Sequence, residues 1–390
     1  MIDLDRARRD TPATATLLHF NNAGASLMPQ PVLAAQIAHL QREATIGAYE
    51  AAEAARDAID HTYASIARLL NCRFDEIALV ENATVGWSMA FYGLKLGPGD
   101  RILTARAEYA SNFIAFLQVA ARTGAVVEAV PNDESGQLSI EALTSMIDDR
   151  VKLIAITHVP TNSGLVNPAE AVGRVARAHN IPFLLDACQS AGQLALDVEA
   201  LGCDMLSATG RKYLRGPRGT GFLYVRRAIL DRLEPPFLDL HAARWVAADR
   251  YEMRPDARRF ENWENNVAGL IGLGTAVAYA LDWGLPAIEA RVTALAATLR
   301  DRLGRIAGIS VTDIGERRCG IVSFTVATKT AEEMARLLRA RRINVSVSGP
   351  GSTLLDATAR RLPDLVRASV HYYNSEEEVE RFATAVAELA

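Results

Sequence analysis

The sequence predicts an α/β fold, with a mostly parallel sheet of seven strands followed by a smaller α+β domain. Three observations carry that expectation. Short β-branched runs alternate with longer helical patterns between Ile77 and Val225. Several of those runs are apolar throughout, as strands covered on both faces are. From Asn266 onward the pattern changes to long helices interleaved with a few strands.

The seven runs lie at 77–80, 101–104, 125–130, 151–157, 181–186, 205–208 and 221–225. Between them, Ser111-Asn112 opens the run FIAFLQVAARTG, and Gly124 supplies the residue that tolerates a left-handed stop. Asn167-Pro168 opens AEAVGRVARAHN, with proline in its favoured place at a helix start. Both connections read as crossover helices. Downstream the pattern predicts helices over 267–283 and 285–306, strands near 309–312 and 320–326, a helix over 331–341, strands over 343–347 and 367–373, and a final amphipathic helix. Residues 15–262 are expected to form the large domain and 263–390, with 1–14, the small one. The Arg-rich segment 237–264 lacks periodicity and reads as a boundary or an insertion over a site. The Ala-rich run 44–58 reads as one helix of high intrinsic propensity.

Composition narrows the class of function. The 390 residues are 49% apolar and 23% charged, which excludes a disordered tail. A formal charge of −4 argues against a nucleic-acid or anionic-membrane surface. Cys72, Cys188, Cys203 and Cys319 stand far apart, so neither a disulfide framework nor a metal site is expected, and a cytoplasmic location fits. No stretch of about 18 uncharged apolar residues offers a membrane span.

The chemistry-bearing stretch is SATGRKYLRGPRGTGFLYV, in which Lys212 follows a strand end and precedes a glycine-rich turn. Asp186 closes an earlier strand, and ligands in open α/β sheets sit outside the carboxyl ends of strands. Glu81-Asn-Ala-Thr-Val-Gly86 also follows a strand and opens a helix. Its free N–H groups, at Ala83 and Thr84, and the Thr84 hydroxyl suit an anion. Taken singly, each residue has a plainer reading: Lys212 and Arg211 as surface charges, Asp186 as a turn former, Thr84 and Ser111 as helix caps, Arg367 as an edge-strand charge. Their joint order and placement separate the two readings.

FLLDACQSAGQL followed by SATGRKYLRGPRGTGFLYV resembles the class V aminotransferase family of pyridoxal-phosphate (PLP) enzymes, which includes cysteine desulfurases and selenocysteine lyases, from about Phe20 to the C-terminus. The resemblance implies PLP fold type I and a homodimer. It maps the cofactor-holding lysine onto Lys212 and the partner of the pyridine nitrogen onto Asp186, where a carboxylate favours the protonated, electron-accepting ring. It further implies that Thr209 and Arg211 assist the phosphate, and that Tyr109 stacks over the ring where relatives often place histidine. Asn162 and Gln189 match positions that bond the phenolic oxygen, and Arg367 the arginine that grips the substrate carboxylate. Asn22 and Tyr49 are further substrate-contact candidates. Trp263-Glu264 stands where many relatives present a Gly-Thr pair to the neighbouring subunit's phosphate, and a carboxylate cannot take that part.

The implied activity proceeds through an internal aldimine and a Cα carbanion, from which transamination, epimerisation or loss of a β-substituent can follow. Relatives that form a persulfide carry a cysteine on the loop corresponding to 348–353, and this chain has none there. The expectation is therefore C–S cleavage of a cysteine derivative by β-elimination. REATIGAYEAAEAA and RKYLRGPRGTGFLYVRRAILDRL look similar to segments of the C–S lyases of ergothioneine assembly. A class V aminotransferase, an epimerase and a non-catalytic phosphate-binding module remain the alternatives.

Overall fold

The structure, a computed structural model, describes residues 2–390. Seven strands form the main sheet: β1 (Ile77–Val80), β2 (Arg101–Ala105), β3 (Val126–Val130), β4 (Val151–Thr157), β5 (Phe183–Asp186), β6 (Met205–Thr209) and β7 (Gly221–Val225). Their order across the sheet is β1-β7-β6-β5-β4-β2-β3. Only β7 runs against its neighbours, pairing antiparallel with both β1 and β6. Two reversals cancel, so β1 points the same way as the other five and all six deliver their carboxyl ends to one edge. β1, β5, β6 and β7 are buried along their whole lengths, which is why they read as continuous apolar runs.

Helices α1 (Ala83–Tyr92) and α2 (Ala110–Thr123) leave that edge. Asn82 starts α1 by accepting a hydrogen bond from the Val85 N–H at 3.0 Å, a cap worth about 1 kcal/mol. Gly124 ends α2 in the left-handed region at φ 78°, as its type allows. Beyond the main sheet, α3 (Val267–Trp283) and α4 (Leu285–Gly304) are followed by a four-stranded antiparallel sheet. Its strands are β8 (Ile309–Val311), β9 (Ile321–Val326), β10 (Ser346–Ser348) and β11 (Leu365–Ser369), in the order β8-β9-β11-β10. A capping box on Ser375 and Glu378 opens the last helix, Glu376–Leu389.

Three local expectations are corrected. The Ala-rich run is not one helix. Gly47, at φ 100°, ends Gln30–Ile46, and two further helices, Ala48–Ala54 and Arg56–Leu70, follow it. High propensity cannot carry a helix through a residue held in that backbone region. The segment 237–264 contains a β-hairpin, Ala243–Ala247 with Arg250–Met253, whose residues are mostly exposed, so no burial alternation marks it in the sequence. The run 343–347 is two strands. Ile343–Asn344 pairs in parallel with Leu18–His19, while β10 pairs with β11.

The first of those pairings is a separate two-stranded sheet, and the bridge from Asn21 to Ser369 of β11 ties residues near the N-terminus to the second sheet. α3 packs against the N-terminal helices: Thr62 Oγ1 donates to the Leu270 carbonyl at 3.2 Å, and Gly274 leaves no room for a side chain beside Thr62. One buried apolar cluster runs through Leu79, Leu185, Leu273, Leu299, Phe324 and Phe382, joining both sheets. Among the described residues no single helix is long and apolar enough to cross a membrane.

Candidate active site

The shared strand edge brings most of the expected residues together. Asp186 ends β5, register-paired with Thr157 of β4 on one side and Ser207 of β6 on the other. It is buried, and its Oδ2 accepts from Asn112 Nδ2 at 2.9 Å while its Oδ1 accepts from the Cys188 N–H at 2.8 Å. Burial pushes this carboxyl above the usual carboxylate range, opposed by those two hydrogen bonds and the nearby Lys212 charge. Lys212 follows β6 in a turn closed by the Arg215 N–H on its carbonyl at 2.9 Å. Its ammonium also reaches the Cys188 thiol, which burial pushes up.

Arg215 anchors that turn. It is 1% exposed, adopts φ 62°, and lies with its guanidinium 4.5 Å from the Tyr373 ring centroid. Its donors go to the Leu27 carbonyl at 2.9 Å, the Tyr372 hydroxyl at 2.8 Å and the Thr11 hydroxyl at 2.5 Å. The Lys212 turn is thereby fastened to both ends of the chain.

On the anion side, Asn82 occupies the Val85 N–H, so the N–H groups of Ala83 and Thr84, in the first turn of α1, have no intrahelical partner. The turn lies so close to β7 that a Cβ on Gly221 would fall 2.9 Å from the Asn82 carbonyl carbon. Thr209 is buried at the end of β6 and accepts from Arg211 Nη1 at 3.2 Å. Glu264 is exposed and lines, with Glu81 and Glu261, a cleft beside this turn. Three carboxylates there leave anion binding to the N–H groups and to Arg211.

Arg367, on β11, is 6% exposed; its Nη1 donates to the Thr161 carbonyl at 2.9 Å and hydroxyl at 2.7 Å. Its Nε is buried without a partner, and no carboxylate pairs with it among the described residues. Burial and the neighbouring Arg211 charge lower its pKa, while Tyr213 and Tyr109 act the other way. Tyr109 precedes α2 and is 38% exposed. Gln189 Nε2 donates to the Ala23 carbonyl at 3.1 Å, leaving Oε1 buried and unpartnered. Asn162 is turned onto the second sheet, Nδ2 donating to Ser348 Oγ at 3.2 Å and to Thr353 Oγ1 at 3.4 Å.

Two candidates stand apart. Asn22 is fully buried and spends both amide protons on the carbonyls of His19 and Ser369, while its Oδ1 accepts from the Tyr373 hydroxyl at 2.5 Å. It has no donor left for a substrate. Tyr49 is 71% exposed and hydrogen-bonds no described residue. Sequence reasoning missed Glu108, a buried carboxylate beside Asp186, and read Asn112 only as part of a helix start. The signal was present in Glu108 and Asn112, four positions apart across a helix start.

The residues fit pyridoxal phosphate. Asp186 is a buried carboxylate with no ion pair, suited to a cationic ring nitrogen. Arg211 and the unsatisfied turn suit a phosphate, and Lys212, whose charge acts on Asp186, supplies a primary amine.

The aminotransferase class-V family profile matches residues 18–382. A probable cysteine desulfurase of Xylella fastidiosa is 33% identical, covering 98% of this chain and 95% of that protein. One of Pyrococcus abyssi is 30% identical, covering 98% and 96%. The apo structure of a cysteine desulfurase from Thermococcus onnurineus superposes with a TM-score of 0.92 at 28% identity, covering 100% of this chain and 98% of that one. A cystine C–S lyase in complex with cysteine persulfide shares the fold, with a TM-score of 0.86 at 23% identity and coverage of 97% and 99%. A lysine and an aspartate brought to one strand edge, in a chain matched almost end to end, make this protein a member of the aminotransferase class-V family of pyridoxal-phosphate enzymes.

Proposed function

We propose that the protein cleaves the C–S bond of a cysteine derivative by β-elimination, with water entering and pyruvate, ammonia and a thiol-bearing product leaving. One observation carries the amino-acid part: Arg367 is a buried, planar cation with no carboxylate partner, an arrangement that a substrate carboxylate would complete. Preference for a C–S bond draws support from the relatives, which are named as cysteine desulfurases.

The thiols of the chain support elimination over sulfur transfer onto the enzyme. The short helical turn Pro350–Thr353 contains serine and threonine but no cysteine. Burial pushes Cys72 up to about 12 and Cys319 up to about 11, and raises Cys188 and Cys203 too. All four thiols are thus shifted away from the thiolate form that accepts sulfur.

In this reading Lys212 holds the cofactor through its amine and then moves the Cα proton at Nζ. Asp186 would face the ring nitrogen. The Ala83 and Thr84 N–H groups, with Thr209 and Arg211, would hold the phosphate, and Tyr109 would flank the ring. Gln189 and Asn162 would bond the phenolic oxygen through their amide NH₂ groups, which in this structure donate to Ala23 and to Ser348 and Thr353. When bound, pyridoxal phosphate supplies the sink for the electron pair left on the substrate Cα.

The protein is further proposed to act as a homodimer in a reducing cytoplasm. Its four cysteines are free, and Trp245 and Tyr251 stand opposite each other on the exposed hairpin. The test supplies purified protein and added cofactor with S-substituted cysteines and cystine, and measures pyruvate. Pyruvate release without a keto-acid acceptor, abolished in Lys212→Ala, is expected. Turnover that requires an acceptor would replace elimination with transamination.

A further inference from the structure

Asp186 does not hold its position alone. Asn112 Nδ2, on the first turn of α2, donates to Asp186 Oδ2 at 2.9 Å and to Glu108 Oε1 at 2.8 Å. Glu108 is itself 3% exposed and sits in the loop between β2 and α2. Every group around it is a donor. Oε1 accepts from the Tyr109 N–H at 3.0 Å and from the Thr157 hydroxyl; Oε2 accepts from the Thr157 N–H at 2.9 Å and from Thr104 Oγ1 at 3.0 Å. The ionised carboxylate receives all five, whereas a protonated one must donate to one of the two threonine hydroxyls. An apolar residue at this one position would strand those donors, but a wholly apolar cluster would avoid the desolvation cost that an isolated buried carboxylate carries, so stability alone does not call for the cage.

We infer that Glu108 is a positioning residue of the active site, acting through Asn112 to aim the Asp186 carboxylate at the cofactor's ring nitrogen. The inference rests on the pyridoxal-phosphate reading. An amide has two protons and a fixed plane, so an Asn112 held at Glu108 on one side presents its remaining proton in one direction, toward Asp186. The two carboxylates are like charges bridged by a single neutral donor, so each raises the cost of ionising the other. A cation entering on the open side of Asp186 relieves that cost, which adds to the attraction the site has for a protonated ring.

Glu108→Gln breaks the cage with the same shape. One oxygen becomes an NH₂ that must confront either the Thr157 N–H or the Tyr109 N–H. Asn112→Ala removes the bridge and leaves Glu108 in place. The full-length apoprotein, wild type and variants, is titrated with pyridoxal phosphate, and both the dissociation constant and the pH dependence of the bound cofactor's visible band are recorded. Losing a hydrogen bond to a charged group predicts affinity weakened about tenfold or more in each single variant, with the band's titration displaced. The double variant Glu108→Gln/Asn112→Ala is expected to match Asn112→Ala alone, because Glu108 acts through Asn112.

Unchanged affinity in Asn112→Ala, or strictly additive losses in the double variant, would overturn the inference while leaving the cofactor assignment intact. A wild-type apoprotein that binds no pyridoxal phosphate would overturn the cofactor assignment itself and the inference with it. Should Glu108→Gln not fold, Asn112→Ala decides the matter, with Glu108→Asp, which keeps the charge but retreats by one methylene, as the partner in the double variant.

Discussion

At the scale of single residues, the site is a balance of buried charges. Arg367 lacks a counter-ion, and the Arg367→Ala variant is expected to raise KM for amino-acid substrates about tenfold or more while kcat changes less, measured by steady-state kinetics. Arg367→Lys is expected not to restore it, because a point charge cannot replace a planar fork. Glu108 makes a different prediction. Burial raises its carboxyl from 4.5 to about 7, so between those values the folded protein keeps a proton that the unfolded chain has lost. Stability from this group is therefore lost as pH rises through that window, by about 3 kcal/mol. The groups facing it are Asp186 across Asn112, with Lys212 beyond, and the hydroxyls of Thr104 and Thr157. Chemical denaturation of the apoprotein at pH 5 and pH 8 checks this: relative to wild type, Glu108→Gln should gain stability on going to the higher pH.

Among the elements, the loop Glu81–Asn82 and the start of β7 matter most, because the anion turn can sit where it does only over a glycine. A Cβ on Gly221 would meet the Ala208 carbonyl oxygen at 2.6 Å and the Asn82 carbonyl carbon at 2.9 Å, both backbone atoms that cannot swing aside. Gly221→Ala is expected to cost about 1–3 kcal/mol and to weaken cofactor retention, read by thermal unfolding and by the visible spectrum after gel filtration. Thr220→Ala, next to it, removes the Thr220 hydroxyl's bond to the Pro217 carbonyl without adding bulk, and separates the two effects.

The whole molecule carries an apolar surface that one chain leaves uncovered. Leu33, Ile37 and Leu40 form a stripe along Gln30–Ile46, and Trp245 and Tyr251 project from the hairpin. On the proposed homodimer, charged substitution at both hairpin aromatics, Trp245→Glu with Tyr251→Lys, is expected to shift sedimentation velocity toward the monomer with little loss of monomer stability, since both side chains are exposed.

Local chemistry in the chain was enough to announce the seven strands, the crossover helices stopping at Gly124 and beginning after Pro168, and the placement of Lys212 and Asp186 at neighbouring strand ends. Those features depend on short-range patterning: apolar runs, caps and a lysine before a glycine-rich turn. Glu108, Asn112 and the anchoring of the Lys212 turn by Arg215 depend instead on the register between β4, β5 and β6 and on a return of the C-terminal strand to the N-terminus. The same holds for Asn22, whose residue type suits a ligand but whose donors are taken by His19 and Ser369. A polar side chain's partners are set by what the packed backbone places within 3 Å of it, and one-dimensional spacing carries that information only where the two groups share an element.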